Sequence, residues 1–343
     1  MTGNHHLPHC QLSGRRTVAM CDTNTIHIHI LQGVSYLSVF LVGLLLNMAS
    51  LRVFYVKRAT WTDTHIYMLN LAAADCALIL FLPFRIYDAF QSLPITPFCT
   101  FLISIHYINM YASIFTVTAI SVHRYLAVKF PFQTRAWRSK KVAVAVCGAI
   151  WVTVVMICGV FSDANHPQKL FTCYQRCKEI PLPVGFLAVL EVLGYLLPLL
   201  NIVFCSTQTI MVLLKEKDQE ETTVEKRNII GIITANLIVF VVCYTPIHLG
   251  FLLKYLAKTN HWETLDWDGF WQVCEWIATT NCFLDSISYY FLLKKFYSKA
   301  SRSAEVDRGS EMALTTNQAM NTHTYPNNES SYPSLPPCIT PPE

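Results

Sequence analysis

The sequence predicts an all-α protein, a seven-transmembrane helix bundle with a short amphipathic helix after the seventh span. Three observations lead there. The chain is 53% hydrophobic and 14% charged, well below the roughly 25% charge of an average soluble domain. Several apolar runs exceed the length of about 18 residues at which a membrane helix is expected, because a helix satisfies its own backbone in hydrocarbon. Basic residues also gather in alternate connectors between those runs. The net charge of +4 is modest, so no nucleic acid or other acidic macromolecule is implied as a partner.

Hydrophobic runs place the spans near 28–55, 63–89, 97–129, 140–162, 183–214, 225–256 and 269–292. Lys57 and Arg58, then Arg135, Arg138, Lys140 and Lys141, then Lys215, Lys217, Lys226 and Arg227, then Lys294, Lys295 and Lys299 all fall on one side. The positive-inside rule makes that side cytoplasmic. An odd number of crossings puts the N-terminus outside and the C-terminus inside, in a multi-pass protein of the plasma membrane. Residues 1–27 then form an extracellular tail, 28–301 the bundle with its interfacial helix (Lys294, Lys295, Phe296, Lys299), and 302–343 a disordered cytoplasmic tail rich in Ser, Thr, Asn and Pro. No early apolar run reads as a cleavable signal, so the first span is expected to target the chain, and Met20 is an alternative start.

Other classes fit less well. There is no internal repeat or matched pair of broken helices of the kind that builds transporters. No Gly-x-Ser-x-Gly elbow, His-Glu-x-x-His helix or phosphate loop supplies an enzyme with a catalytic set. His5, His6, His9 and Cys10 are metal-ligating types, but without a second cluster they read as a solvated tail.

The residues that stand out are polar groups within apolar spans. Asp75 lies deep in the second span, where a lone charge costs several kcal/mol and calls for a partner or an ion. Asn109 and Ser113 share one face of the third span, and Asn281 and Asp285 share one face of the seventh by their four-residue spacing. On the third span His106, Met110, Ser113, Val117, Ile120 and Arg124 recur at steps of three and four, giving an inward stripe that reads either as a pocket wall or as helix packing. Arg85, two residues after Pro83, is costly unless it faces an aqueous cavity, and its fork suits a carboxylate or phosphate. Lys254 and Lys258, with Lys169, Arg176 and Lys178, add positive field above it, although the first two also suit snorkelling to lipid head groups. Tyr87, Tyr107, Tyr111, Tyr195, His248, Phe251 and Trp276 supply a candidate aromatic wall.

The third span carries Cys99 near its outer end and His123-Arg124-Tyr125 near its inner end. With Asn47 in GLLLN, Asp75 in NLAAAD, Trp151, Pro198, Pro246 in CYTP, and Asp285 with Tyr289 in DSISY, each span bears its expected residue in order. On these the chain resembles the rhodopsin-like G-protein-coupled receptors over roughly residues 28–300. TWTDTHIYMLNLA, FVVCYTPIHLGF and NCFLDSISYYFLLKKF look like the branch that holds the lysophosphatidylinositol receptor and the related kynurenate-responsive receptor.

The resemblance implies a receptor rather than an enzyme, with an anionic lipid or small acid as ligand, a lysophospholipid favoured, and heterotrimeric G proteins as effectors. It implies an allosteric sodium ion among Asp75, Asn109, Ser113, Asn281 and Asp285, and no other metal or cofactor. Ligand contacts are expected from Arg85, His106, Tyr107, Met110, Tyr111, Tyr195, His248, Phe251, Lys254 and Trp276. Ile114, Pro198 and Phe240 match the packed trio that couples pocket to effector site, with Pro246 as hinge and Tyr244 standing where the pattern has Trp. Arg124, Tyr125 and Tyr289 belong to the inner activation network, and Pro131 with Phe132 matches the loop position that docks into the G protein. Ser206 stands where the family often has Tyr. His123 replaces the usual acid, and Glu225 and Lys226 offer Arg124 no clear acidic partner, so raised basal signalling is expected. Cys99 and Cys173 resemble the disulfide that pins the second outer loop, with Cys177 competing, and Cys10, Cys21 and Cys274 are open to a second staple. Thr315, Thr316, Ser330 and Ser331 are candidate phosphorylation sites for a receptor kinase and arrestin.

Overall fold

A computed structural model describes residues 23–56, 58, 61–135, 139–160, 166–170, 172–175, 182–215, 220–259 and 267–287. Seven helical segments follow in chain order: α1 (Thr23–Val56), α2 (Asp63–Phe90), α3 (Pro97–Lys129), α4 (Lys140–Val160), α5 (Val184–Lys215), α6 (Glu220–Thr259) and α7 (Trp267–Thr279, resuming over 281–287). The first six are long and apolar enough to cross a membrane. Their bounds follow the predicted spans, except that α1 starts at Thr23, inside the stretch predicted as tail, and α6 starts at Glu220. The extreme N-terminus, Arg138, Arg176, Cys177, Lys178, Lys217, Tyr289, the interfacial helix and the C-terminal tail lie outside the described residues.

Local chemistry sets the helix ends. Thr62 caps α2 in a capping box closed by His65, and Pro97 opens α3, where its missing N–H is no loss. Two irregularities were not foreseen. Residues Val189–Leu196 of α5 are π-helical, a wider turn that is rare and concentrates at functional sites. In α7 the Thr280 hydroxyl donates to the Ile277 carbonyl at 2.6 Å, while the Thr280 N–H is shared between Trp276 and Ile277, so local bonding competes with the helix and produces a turn.

The bundle has its polarity inside. Leu31, Leu45, Leu80, Val152, Leu200 and Leu214 are exposed, as a hydrocarbon-facing surface requires, whereas Asn47, Asp75, Asn109, Ser113, Asn281 and Asp285 are buried. Helix α3 packs against α2, α4, α5 and α6, and α7 closes the ring against α6 and α1. Buried polar ties fix this order. Asn47 Nδ2 donates to the Cys282 carbonyl at 2.8 Å, joining α1 to α7. Trp151 Nε1 donates to Asn70 Oδ1 at 2.7 Å, and Asn70 Nδ2 to Thr116 Oγ1 at 2.8 Å, joining α4, α2 and α3. Cys99 is disulfide-bonded to Cys173, and Cys274 is a buried free thiol.

Candidate ligand site and signalling core

At the outer end Arg85 is buried, but it is not the unpaired cation that the sequence suggests. Its Nη2 donates to Glu275 Oε2 of α7 in a direct ion pair, with both side chains at most 10% exposed. The rings of Tyr36 (α1) and Tyr174 (beside the disulfide) cover the guanidinium at 4.7 and 4.8 Å. Burial of the Tyr174 phenol raises its pKa above the ordinary range, so it stays neutral. Glu275, Tyr36 and Tyr174 were missed. The signal for Glu275 was available, since an acid in an apolar span demands a partner and Arg85 stood in need of one.

The aromatic residues form one connected set. His248 stacks on Tyr195 with centroids 4.4 Å apart and packs edgewise on Tyr111 and Phe251. Phe251 also meets Tyr107 and Trp271, and the Lys254 ammonium lies 5.3 Å from the Trp271 ring. His248 Nδ1 is 3.3 Å from Glu191 Oε1, an acid that the π segment turns inward and that the sequence reading passed over. His106 and Met110 are buried, with His106 edgewise on Tyr107, and Trp276 packs against the cluster that contains Tyr36. Tyr87 is 49% exposed and stands apart from this wall. The Lys258 side chain lies outside the described residues.

A narrow apolar cleft opens between α3, α4 and α5, lined by Tyr107, Tyr111, Val154, Phe186, Leu190 and Gly194 among others. The π segment brings Gly194 against Tyr111, where an added Cβ would lie 2.4 Å from the ring. Arg85 is not part of this lining, but Tyr107 shares a cluster with Tyr174, whose ring covers Arg85. Charged site and apolar cleft are thus linked through the cluster around the Cys99–Cys173 disulfide.

Midway down, Asp75 is fully buried, and among the described residues neither carboxylate oxygen has a partner in hydrogen-bond geometry. Asp285 and Asn109 face it. Ser113 Oγ and Asn109 Nδ2 likewise have no partner in hydrogen-bond geometry among the described residues, while Asn281 Nδ2 donates to Asp285 Oδ2 at 2.8 Å. Ile114, Pro198 and Phe240 are buried, Phe240 packs edgewise on Tyr244 at 5.2 Å, and Tyr195 stacks on Phe240. Tyr195 is also hydrogen-bonded to Thr245, next to Pro246, at 2.7 Å.

Below this level a narrow crevice is lined by Tyr244, Phe240, Asn281, Asp285, Val117 and Arg124 among others, so it runs from Asp285 to the inner arginine. Arg124 has no ion pair among the described residues. Its neighbour does: His123 Nε2 lies 2.7 Å from Asp63 Oδ2 at the start of α2, and its ring packs on Tyr67. Tyr125 packs edgewise on Phe130 and Phe204. In the following loop Pro131 is exposed and Phe132 is 92% exposed. Ser206 is buried.

A bundle of membrane helices with an outer charged and aromatic site, buried acids at mid-depth and an inner arginine has the construction of a transmembrane receptor. Comparison with known proteins agrees. Residues 46–289 match the family model described as 7 transmembrane receptor (rhodopsin family), and the chain belongs to that family. G-protein coupled receptor 35 of Mus musculus is 36% identical over 277 residues, covering 79% of this chain and 88% of the relative. G-protein coupled receptor 55 of Mus musculus is 32% identical over 285 residues, covering 78% and 86%. Lysophosphatidic acid receptor 6 of Gallus gallus is 30% identical over 287 residues, covering 79% and 92%. The chain is thus a multi-pass membrane receptor that works through G proteins, and its family is one of receptors rather than enzymes.

Proposed function

We propose that this receptor, with its N-terminus outside the cell, binds an anionic amphiphile and transmits its binding to a heterotrimeric G protein. The observation that carries this reading is that two unlike environments meet one cluster beside the Cys99–Cys173 disulfide, the first being Arg85 under Tyr174 and the second the apolar cleft lined in part by Tyr107. A lysophospholipid places its head at the first and its acyl chain in the second, and an aromatic acid uses the first with the His248 and Phe251 rings. A relative named as a lysophosphatidic acid receptor supports the lipid class.

Sodium fits the middle site. Two buried carboxylates face one another and, among the described residues, the Asp75 oxygens and Ser113 Oγ lack partners in hydrogen-bond geometry, so a small hard cation held by Asp75 and Ser113, with Asn109, Asn281 and Asp285 around it, offsets a charge that is otherwise costly. A cation there favours one of two bundle arrangements, and ligand favours the other. Arg124 and Tyr125, with Tyr289, receive the G protein from the inner cavity while Pro131 and Phe132 dock against it. A receptor kinase and arrestin act on the Ser and Thr residues of the tail.

The test is nucleotide exchange on a purified G-protein trimer by the full-length receptor, with lysophosphatidylinositol, lysophosphatidic acid and aromatic acids as probes. Probe-dependent exchange that disappears in Arg124→Ala at equal surface expression is the expected result. Solute or ion flux without exchange would replace this reading with a transporter.

A further inference from the structure

The outer site holds a cation that is already neutralised, and this constrains what can bind there. Glu275 takes up Nη2 of the Arg85 guanidinium, and the rings of Tyr36 and Tyr174 lie against it at 4.7 and 4.8 Å. Of the other guanidinium N–H groups, Nε is buried and has no hydrogen-bond partner among the described residues. Asp88, one turn further along α2, does not compete, because its Oδ1 accepts from the Leu93 N–H at 2.8 Å.

An entering oxyanion has two routes. It can displace Glu275 and strand a buried carboxylate, or it can join Glu275 by accepting from Nε and place two anions on one cation. Both routes leave one negative charge uncompensated among apolar walls, and breaking a buried ion pair on one side is strongly unfavourable. Among the described residues the Glu275 carboxylate has no second cationic partner. We infer that this site selects a ligand head carrying an oxyanion and a protonated amine together, the oxyanion at Arg85 and the ammonium at Glu275. The inference rests on the anionic-amphiphile reading above and narrows it. Such a head satisfies both halves of the opened pair, whereas a simple acid satisfies one.

The amine and oxyanion are supplied either by an ethanolamine lysophospholipid or by a free aromatic amino acid, and the test separates them. Full-length receptor in membranes is titrated with 1-oleoyl lysophosphatidylethanolamine and its N-acetyl derivative, which keeps the phosphate and chain and loses only the ammonium. Tryptophan and N-acetyltryptophan form the second pair. In wild type the amine form of one pair is expected to be more potent in G-protein exchange by on the order of 100-fold or more, the scale set by a stranded buried charge at its lower end of about 3 kcal/mol. In Glu275→Gln that preference falls to within about threefold, mainly because the acetylated form improves. Equal potency of amine and acetylated forms in wild type overturns the inference and leaves the anionic-amphiphile reading standing, as does a preference that survives in Glu275→Gln. No response to any probe or to lysophosphatidic acid sinks both. The wild-type comparison decides the matter if Glu275→Gln does not reach the surface.

Discussion

Because Arg124 has no acidic partner among the described residues, the ionic restraint at the inner end rests on His123 and Asp63, 2.7 Å apart and each 13% exposed. Removing the His123 ring deletes a hydrogen bond to a charged group, worth about 1.5–3 kcal/mol. If the bond exists only in the resting arrangement, its loss multiplies the active fraction by about 10- to 100-fold, at 1.4 kcal/mol per tenfold. Asp63→Asn keeps a weaker neutral bond and loses roughly 1 kcal/mol, about fivefold. His123→Asp alone is a confounded experiment, because it sets a carboxylate against Asp63 while giving Arg124 an acid neighbour. His123→Asp with Asp63→Asn removes the repulsion and tests the restored restraint alone. The assay is ligand-free nucleotide exchange at matched surface expression. The expected order is His123→Ala above Asp63→Asn above wild type, with the double variant lowest. Exchange within twofold of wild type in both single variants would refute the assignment of a restraint to this pair.

Three further outcomes follow from the geometry. Asp75→Asn should abolish the lowering of agonist affinity by sodium chloride relative to choline chloride, because it removes a fully buried carboxylate that has no partner among the described residues; an undiminished sodium effect in radioligand binding would move the ion elsewhere. Phe132→Ala should reduce agonist-driven exchange at least about tenfold with ligand affinity unchanged, since a 92% exposed aromatic adds nothing to the bundle's own packing. Gly194→Val should lower thermal stability by about 1–3 kcal/mol through overpacking against the Tyr111 ring, and Tyr111→Ala should restore it in a thermal-shift assay.

The spans were legible because apolar length and alternate basic connectors report directly on the bilayer. The residues of the middle site were legible for the same reason, since Asp75, Asn281 and Asp285 are anomalies in an apolar run. Glu275, Asp63 and Glu191 were as anomalous, yet they were not paired with Arg85, His123 and His248. Those partners are separated by 190, 60 and 57 positions, and helix periodicity carries no information about which helix a face meets. The π segment was illegible because the wider turn in Val189–Leu196 depends on α3 offering Tyr111 to Gly194. The turn at Thr280 depends on which of two local bonds its hydroxyl and N–H choose.

The three ionisable groups now assigned on α2 suggest how a ligand's binding energy crosses the membrane. Asp63, Asp75 and Arg85 are 12 and 10 positions apart, about 18 and 15 Å along the axis. They engage His123 of α3, Asn109 and Asp285 of α3 and α7, and Glu275 of α7. Shifting a two-state balance from mostly resting to mostly active requires about 5.5 kcal/mol of differential binding, more than any single half-buried pair supplies at about 1.5–3 kcal/mol. Movement of α3 or α7 along α2 therefore has to exchange partners at several levels. On the function proposed above, the ligand head would replace Glu275 at the outer level, the cation would leave the buried acids at mid-depth, and the G protein would take up Arg124 once His123 parts from Asp63 below. On this account Glu275→Gln and His123→Ala, being far apart, should raise ligand-free exchange more in combination than either does alone, multiplicatively if each loosens the same balance. A double variant no more active than the stronger single one would mean that the two ends report on separate motions.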